Sequence, residues 1–338
     1  MNKRLRTIFQ YAFFFSLGFF FVWLSVKDIG PKEKTQIKFA LQNASYYLVI
    51  PVFMILFLSH YIRALRWRLL IESLGYKPRK ANVFFAVMIG YLANQAVIRL
   101  GEVLKCTVLA RYEKVPADKL VGTIILERLV DAITLLFIFA VTIITQPGLY
   151  QQFVARVINV PGETDDEKIS GNIIMLISAG IIVVIIAAWM IIKKKNFNDL
   201  LSVIKMIGRR VWEGISAIKH LKRRKLFIFY SLLLWSLYLV AGYIGFYALQ
   251  ETRHYGIKEA LTVLSAGSIG MTITPGGIGG YAYLLEKTMQ IYGLSAGVSL
   301  AFGWLLWLAN TAVIVLGGLI SFAALPWYNK KKLQPLSS

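Results

Sequence analysis

The chain reads as an all-α integral membrane protein, with about six spanning helices and two re-entrant helical hairpins set out as an inverted repeat. Three observations carry this reading. Of the 338 residues, 57% are hydrophobic and 16% are charged, where a soluble domain holds about 25% charged residues. The apolar residues gather into runs of about 20, the length that crosses a bilayer as helix. Two further apolar segments turn at glycine and return as shorter, more polar arms that do not read as spans. The formal net charge of +21 is not read as a nucleic-acid signal. Lys and Arg cluster just outside the apolar runs, where they set membrane orientation.

The elements follow in order. "MNKRLR" leads a first span over 8–26. That run is too long for a signal-peptide core and lacks a small-x-small cleavage site, so it reads as a retained anchor. Residues 1–40 form this anchor helix and a loop bearing Lys27, Lys32, Lys34 and Lys38. The first repeat unit, 41–145, holds a second span over 45–62, a hairpin over 81–112 and a third span over 120–144. Residues 146–225 hold a loop with Glu163, Asp165, Asp166 and Glu167, a fourth span over 173–192, and a basic stretch. In that stretch Ile204, Ile207, Val211, Ile215 and Ile218 recur at helical spacing between cations, as in a helix lying on the inner surface. The second unit, 226–326, holds a fifth span over 226–249, a hairpin over 259–293 and a sixth span over 297–325. A tail over 327–338 carries Lys330, Lys331 and Lys332.

Basic segments belong inside and the acidic loop outside. Both termini are then expected in the cytoplasm, at a bacterial cytoplasmic membrane. The four-lysine loop fits least, because it falls outside. The first hairpin enters from the cytoplasm and the second from outside, so the two units are inverted copies in layout. Sliding one over the other places Gly101 on Gly279. Residue identity across this overlay is very low, so the repeat is one of pattern. Inverted repeats with broken helices are a transporter architecture, with the substrate site between the repeats.

Four clusters are candidates for function. In "RLGE", Arg99 and Glu102 lie at the tip of the first hairpin, and a charge at membrane depth pairs, binds a ligand or faces water. In "ERLVD", Glu127, Arg128 and Asp131 share one side of the third span at i, i+4 and i, i+3 spacing. These acids are expected in a charge network with Arg99 or Lys105, or in proton coupling, and Glu286 is grouped with them. The third cluster is "TPGGIGGY". Pro275 ends the first arm, and Gly276, Gly277, Gly279 and Gly280 allow close backbone approach. The helix starting near Tyr281 presents free N–H groups to an anion. The fourth, "RALRWRLL", offers Arg63, Arg66, Trp67 and Arg68 to lipid headgroups on the cytoplasmic side. Each cluster also has a purely structural reading: an ion pair, a salt-bridge network, a tight turn and a topology anchor.

No nucleotide, hydrolase or zinc-protease motif is present. Gly277, Gly279 and Ala282 match G-x-G-x-x-A, but no preceding strand or βαβ unit supports a dinucleotide site. Cys106 is the single cysteine, which excludes an intrachain disulfide. His60, His220 and His254 lack metal-ligand spacing, and no cofactor is expected.

"RALRWRLL", "NQAVIRLGEVLK", "ERLVD" and "PGGIGGY", in this order over roughly 41–325, resemble the transmembrane domain of lysylphosphatidylglycerol synthases and stand-alone flippase-like relatives. In full-length synthases this domain is understood to move aminoacylated phosphatidylglycerol to the outer leaflet, while a soluble domain performs the tRNA-dependent transfer. The resemblance implies the translocating half without the synthetic half. It also implies phospholipid partners, anionic or aminoacylated, and a separate lipid-modifying enzyme, with no nucleic acid. The chain departs from the family pattern at Val97, where proline is frequent. It departs again at Ala282, where glutamate is frequent, and the nearest acid is Glu286. A different lipid is therefore expected. The competing class is a membrane-embedded enzyme or accessory subunit of lipid or glycolipid synthesis, with Glu102, Glu127 and Asp131 as acid–base or metal groups. A translocator predicts Arg99 and Gly277 at one cavity, and an enzyme predicts clustered carboxylates.

Overall fold

The structure, a computed structural model, describes residues 3–27, 29–97, 99–146, 148–149 and 221–333. The acidic loop, the fourth expected span and nearly all of the basic amphipathic stretch lie outside the described residues. Every regular element among the described residues is helical. In order these are α1 (Lys3–Val26), α2 (Pro31–Gln42), α3 (Val49–Ser73), α4 (Lys80–Ala96), α5 (Leu100–Glu113) and α6 (Ala117–Thr145). Then come α7 (Arg224–Gly245), α8 (Ile257–Ile273), α9 (Gly280–Ile291) and α10 (Ala296–Leu333).

Three described stretches are long and apolar enough to cross a membrane: Tyr46–Ser73, Arg224–Ala248 and Ala296–Lys330. They coincide with the second, fifth and sixth expected spans. Phe15–Val26 is a shorter apolar helix within the first. The third expected span falls in α6, whose N-terminal half carries Asp118, Lys119, Glu127, Arg128 and Asp131.

Both glycine-turned segments are helical hairpins. In the first, α4 returns as α5 through a turn in which Arg99 takes the left-handed φ of 66°. The Gly101 N–H donates to Asn94 Oδ1 at 2.8 Å, and a Cβ on Gly101 would run into the Gly90 carbonyl. In the second, Pro275 has no N–H to continue the ladder of α8. Gly276, Gly277 and Gly279 then turn the chain with φ of 57°, 72° and 70°. Here a Cβ on Gly270 would meet the Tyr281 Cα at 2.6 Å. Each hairpin is thus closed by a glycine on its first arm facing the start of its second. The first arms are both 17 residues long, and the second arms are 14 and 12.

The 38-residue α10 joins the two units. Its Gly303 lies against Ala282 of α9, and its Gly317 and Gly318 against Met88 and Leu92 of α4. Small residues let helix backbones approach where lipid gives no hydrophobic drive to pack. Around Trp67 a core joins α3, α4, α5, α6 and α7, and around Phe302 a second joins α8, α9 and α10.

Two local expectations are corrected. Residues 31–42, expected as loop, form α2. Pro31 suits the first helical turn, Glu33 Oε2 accepts the Gly30 N–H at 2.9 Å, and Gln36 Oε1 accepts the Gly297 N–H at 3.2 Å. The second helix also does not stop at 62. It continues through "RALRWRLL" to Ser73, because that segment carries a buried face rather than a surface one.

Candidate functional site

Arg63, Arg66 and Trp67 stand at i, i+3 and i+4 on α3, so they share one helix face. They were expected at the cytoplasmic lipid surface, yet they are 6%, 0% and 0% exposed. The reason is the facing helix. α6 brings Glu127 and Asp131, also one turn apart, against them. Arg63 Nη1 lies 2.5 Å from Asp131 Oδ2 and 3.5 Å from Glu127 Oε1. Arg66 Nη1 lies 2.7 Å from Asp131 Oδ1, and its Nη2 lies 3.4 Å from Glu127 Oε1. From the first hairpin, Lys105 Nζ reaches Glu127 Oε2 at 2.6 Å while standing 4.1 Å from the Trp67 ring centroid. Trp67 in turn donates Nε1–H to Thr123 Oγ1 at 2.8 Å. Arg68 alone of the fourth cluster stays near the surface, paired with Glu72 at 2.9 Å.

The network is unbalanced. Among the described residues three cations, Arg63, Arg66 and Lys105, face two carboxylates, Glu127 and Asp131, an excess of one positive charge. Arg128 and Glu102 add a neutral pair beside it at 3.0 Å, more open to the outside. Buried charge is retained only with good partners, and a residual positive charge at membrane depth marks a place for an anion.

A cavity of about 460 Å³ opens next to this network. Its polar side is formed by His60, Arg63, Tyr91, Arg128, Asp131 and Tyr238. Arg63 Nη2 donates to Tyr238 Oη at 3.2 Å, and its guanidinium carbon lies 5.8 Å from the Tyr91 ring centroid. Apolar walls come from α3, α6, α7, α8 and α10, including Val52, Leu135, Ala241, Val263 and Leu306. A polar pole in an apolar cleft of this size suits an amphipathic ligand.

Of the sequence-predicted headgroup residues, Arg128 and Tyr281 line the cavity, as does Asp131 from the charge network. Arg99, Glu102, Pro275, Gly276, Gly277, Gly279 and Gly280 do not. Arg99 is exposed at the hairpin tip. The glycine turn is filled by protein. A Cβ on Gly276 would strike Gln95 of α4, and one on Gly279 would lie 2.7 Å from the Gly18 carbonyl oxygen of α1. Trp307 donates Nε1–H to the Gly276 carbonyl at 2.9 Å. The two hairpin tips therefore meet each other, and the glycines serve that contact. Glu286 is remote from the network and bonds to Lys287 and Gln290. Lys105 meets Glu127, which shares Arg63 and Arg66 with Asp131, and among the described residues no ion pair to Arg99 is seen.

Sequence reasoning missed His60, Tyr91, Trp235 and Tyr238 as cavity residues. A signal was present in His60 and Arg63, and in Trp235 and Tyr238. Each pair is spaced i, i+3 on its helix, next to an apolar run. Among the described residues no group of three or more His, Cys, Asp or Glu side chains could hold a metal ion.

The family model described as "Lysylphosphatidylglycerol synthase TM region" matches residues 8–324. The chain is also similar to the UPF0104 membrane protein MJ1595 of Methanocaldococcus jannaschii, at 27% identity over 124 residues. That match spans 36% of this chain and 36% of the relative's length. No solved structure gives a significant match.

Proposed function

The chain belongs to the family of the lysylphosphatidylglycerol synthase TM region, and from that premise we propose that it is a flippase-like translocator. It moves a phospholipid or lipid-linked anionic or aminoacylated headgroup between the leaflets of the cytoplasmic membrane. The observation that carries the reading is the net positive network at the polar end of a cavity with apolar walls. Arg63 and Arg128 hold the headgroup phosphate, since guanidinium forks suit phosphate geometry. Tyr91, Tyr238 and Tyr281 frame it, and the acyl chains stay among the apolar walls and the bilayer.

Glu127 and Asp131 act as fixed counter-charges that hold Arg63 at the cavity and Arg66 behind it. Their oxygens are taken by Arg63, Arg66 and Lys105, and Glu102 is taken by Arg128. This ion pairing favours transport over the enzyme reading. The hairpins are re-entrant from opposite sides, and exchange of access occurs between the two units around the cavity. A separate lipid-modifying enzyme supplies or consumes the lipid.

The test is transfer in vesicles. The purified full chain is reconstituted with fluorescent phosphatidylglycerol, and a membrane-impermeant reductant bleaches the outer leaflet. Protein-containing vesicles are expected to lose nearly all the signal, and protein-free vesicles about half. A half-loss in both would remove the proposal.

A further inference from the structure

The loop bearing Lys27, Lys32, Lys34 and Lys38 is the segment that fits the charge rule for membrane orientation least. Three of these lysines fall in α2, and two of the three stand over a groove. One side of α2 turns inward: Gln36 Oε1 accepts the Gly297 N–H, and Ala40 is 1% exposed. Lys34, Ile37, Lys38 and Leu41 stand at i, i+3, i+4 and i+7 and share another face of the helix. That face is one wall of a surface groove of about 630 Å³, which Ile29, Gln42 and Tyr46 complete. Tyr46 donates its hydroxyl to the Leu41 carbonyl at 2.6 Å, which fixes its ring at the edge of the groove.

Two observations put this groove where the bilayer meets water. The apolar helix Phe15–Val26 ends just before Ile29, and the span Tyr46–Ser73 begins at Tyr46. Trp23, Tyr46 and Tyr47 are exposed at these two helix ends, and Trp and Tyr collect at the level of the headgroups. The groove itself has the two characters of a phospholipid. Ile29, Ile37 and Leu41 are half-buried and give it an apolar floor, which Ile37 and Leu41 continue into the core around Phe302. Lys34 and Lys38 are exposed above that floor, one turn apart. Two ammonium groups at i, i+4 repel each other on a helix. The acid of the same turn, Glu33, faces the Gly30 N–H at 2.9 Å. An anion between the two lysines replaces their repulsion with two attractions.

We infer that this groove is a lipid site apart from the central cavity, and that it holds an anionic phospholipid at the bilayer surface. The phosphate lies between Lys34 and Lys38, and the upper part of an acyl chain runs along Ile29, Ile37 and Leu41. The lysines of this loop then serve binding, and orientation is left to the other basic segments. The site needs only the membrane and these side chains, so it goes beyond the translocator reading and does not rest on it.

The test places a fluorophore beside the groove. In the full chain with Cys106→Ala, Gln42→Cys is labelled and the protein is put into phosphatidylcholine nanodiscs. A small share of the lipid carries a nitroxide near the carbonyl end of one acyl chain, either as phosphatidylglycerol or as phosphatidylcholine. Phosphatidylglycerol is expected to quench about threefold or more strongly than phosphatidylcholine, since lysines at the surface attract anionic lipid. With the label at Phe137→Cys instead, on an exposed face of α6, the two lipids are expected to quench nearly alike. An equal preference at both positions would trace the effect to the overall charge of the chain and overturn the site. Lys34→Gln with Lys38→Gln changes two surface residues and is expected to bring the two lipids to parity at position 42. An unchanged preference would overturn the inference. Arg128→Gln alters the central cavity and is expected to leave the preference at position 42 as it is, whereas its loss would assign the lipid to the cavity and overturn a separate site. Glycerol phosphate that relieves the quenching at the concentration of the lipid would assign the groove to a soluble ester and overturn the lipid. Absence of transfer in vesicles, with the preference at position 42 intact, would remove the translocator and leave this site.

Discussion

At the scale of single residues, burial separates the charges that hold the fold from those that do not. Glu127 is 2% exposed at its side chain and meets Arg63, Arg66 and Lys105, whereas Glu102 is 32% exposed and meets Arg128. Removing one partner from a buried network strands the others, at about 3–5 kcal/mol. Breaking an exposed pair costs under about 1 kcal/mol. Glu127→Ala is therefore expected to lower the melting temperature in detergent sharply, and Glu102→Ala to leave it nearly unchanged. Similar losses in both would contradict the assigned burial. The sequence made "ERLVD" stand out, because three ionisable groups in five residues cannot all face lipid. It did not reveal the arginine partners. Arg63 and Arg66 follow an apolar run directly, and charge after such a run resembles a topology anchor until the facing helix is known. Arg99 drew attention for the same reason in reverse. It is a cation beside glycine in an apolar stretch, but a tight turn carries its side chain outward.

Among the elements, the hairpins were legible from their glycines, though the use of those glycines was not. "PGGIGGY" announces a turn with positive φ, which the helix-breaking chemistry of Pro275 and Gly276 dictates. Whether the exposed backbone then meets ligand or protein depends on α1 and on the tip of α4, which no local pattern encodes. α2 was missed because its lysines disguised a capped helix that packs on α10. Close packing inside the first hairpin gives a direct check. A methyl group at Gly101 would enter the Gly90 carbonyl, while Gly122 on α6 has nothing within 4 Å. Overpacking costs about 1–3 kcal/mol, and alanine in an open helical position gains up to about 1 kcal/mol over glycine. Gly101→Ala is expected to reduce thermal stability and yield, and Gly122→Ala to hold or raise them. An unaffected Gly101→Ala protein would mean that the hairpin arms are not in contact.

For the whole molecule, α4 and α8 are equally long and each returns as a shorter arm, α5 and α9. The inversion in the bilayer of the repeat read from sequence is a separate claim with its own test. With Cys106 replaced by alanine, a cysteine at Lys77 should be labelled only from the cytoplasmic side. A cysteine at Gly293, beyond the second hairpin, should be labelled only from outside. Labelling of both from one side would make the hairpins parallel and remove alternating access around the cavity.

The central claim is that lipid passes by the buried arginine network and not by the exposed hairpin tip. Leaflet transfer of phosphatidylglycerol in vesicles, compared for wild type, Arg128→Gln and Arg99→Gln, tests it most directly. Arg128 lines the cavity and Arg99 does not, so Arg128→Gln is predicted to slow transfer about tenfold or more, with Arg99→Gln close to wild type. Loss of transfer in Arg99→Gln with normal rates in Arg128→Gln would contradict the account.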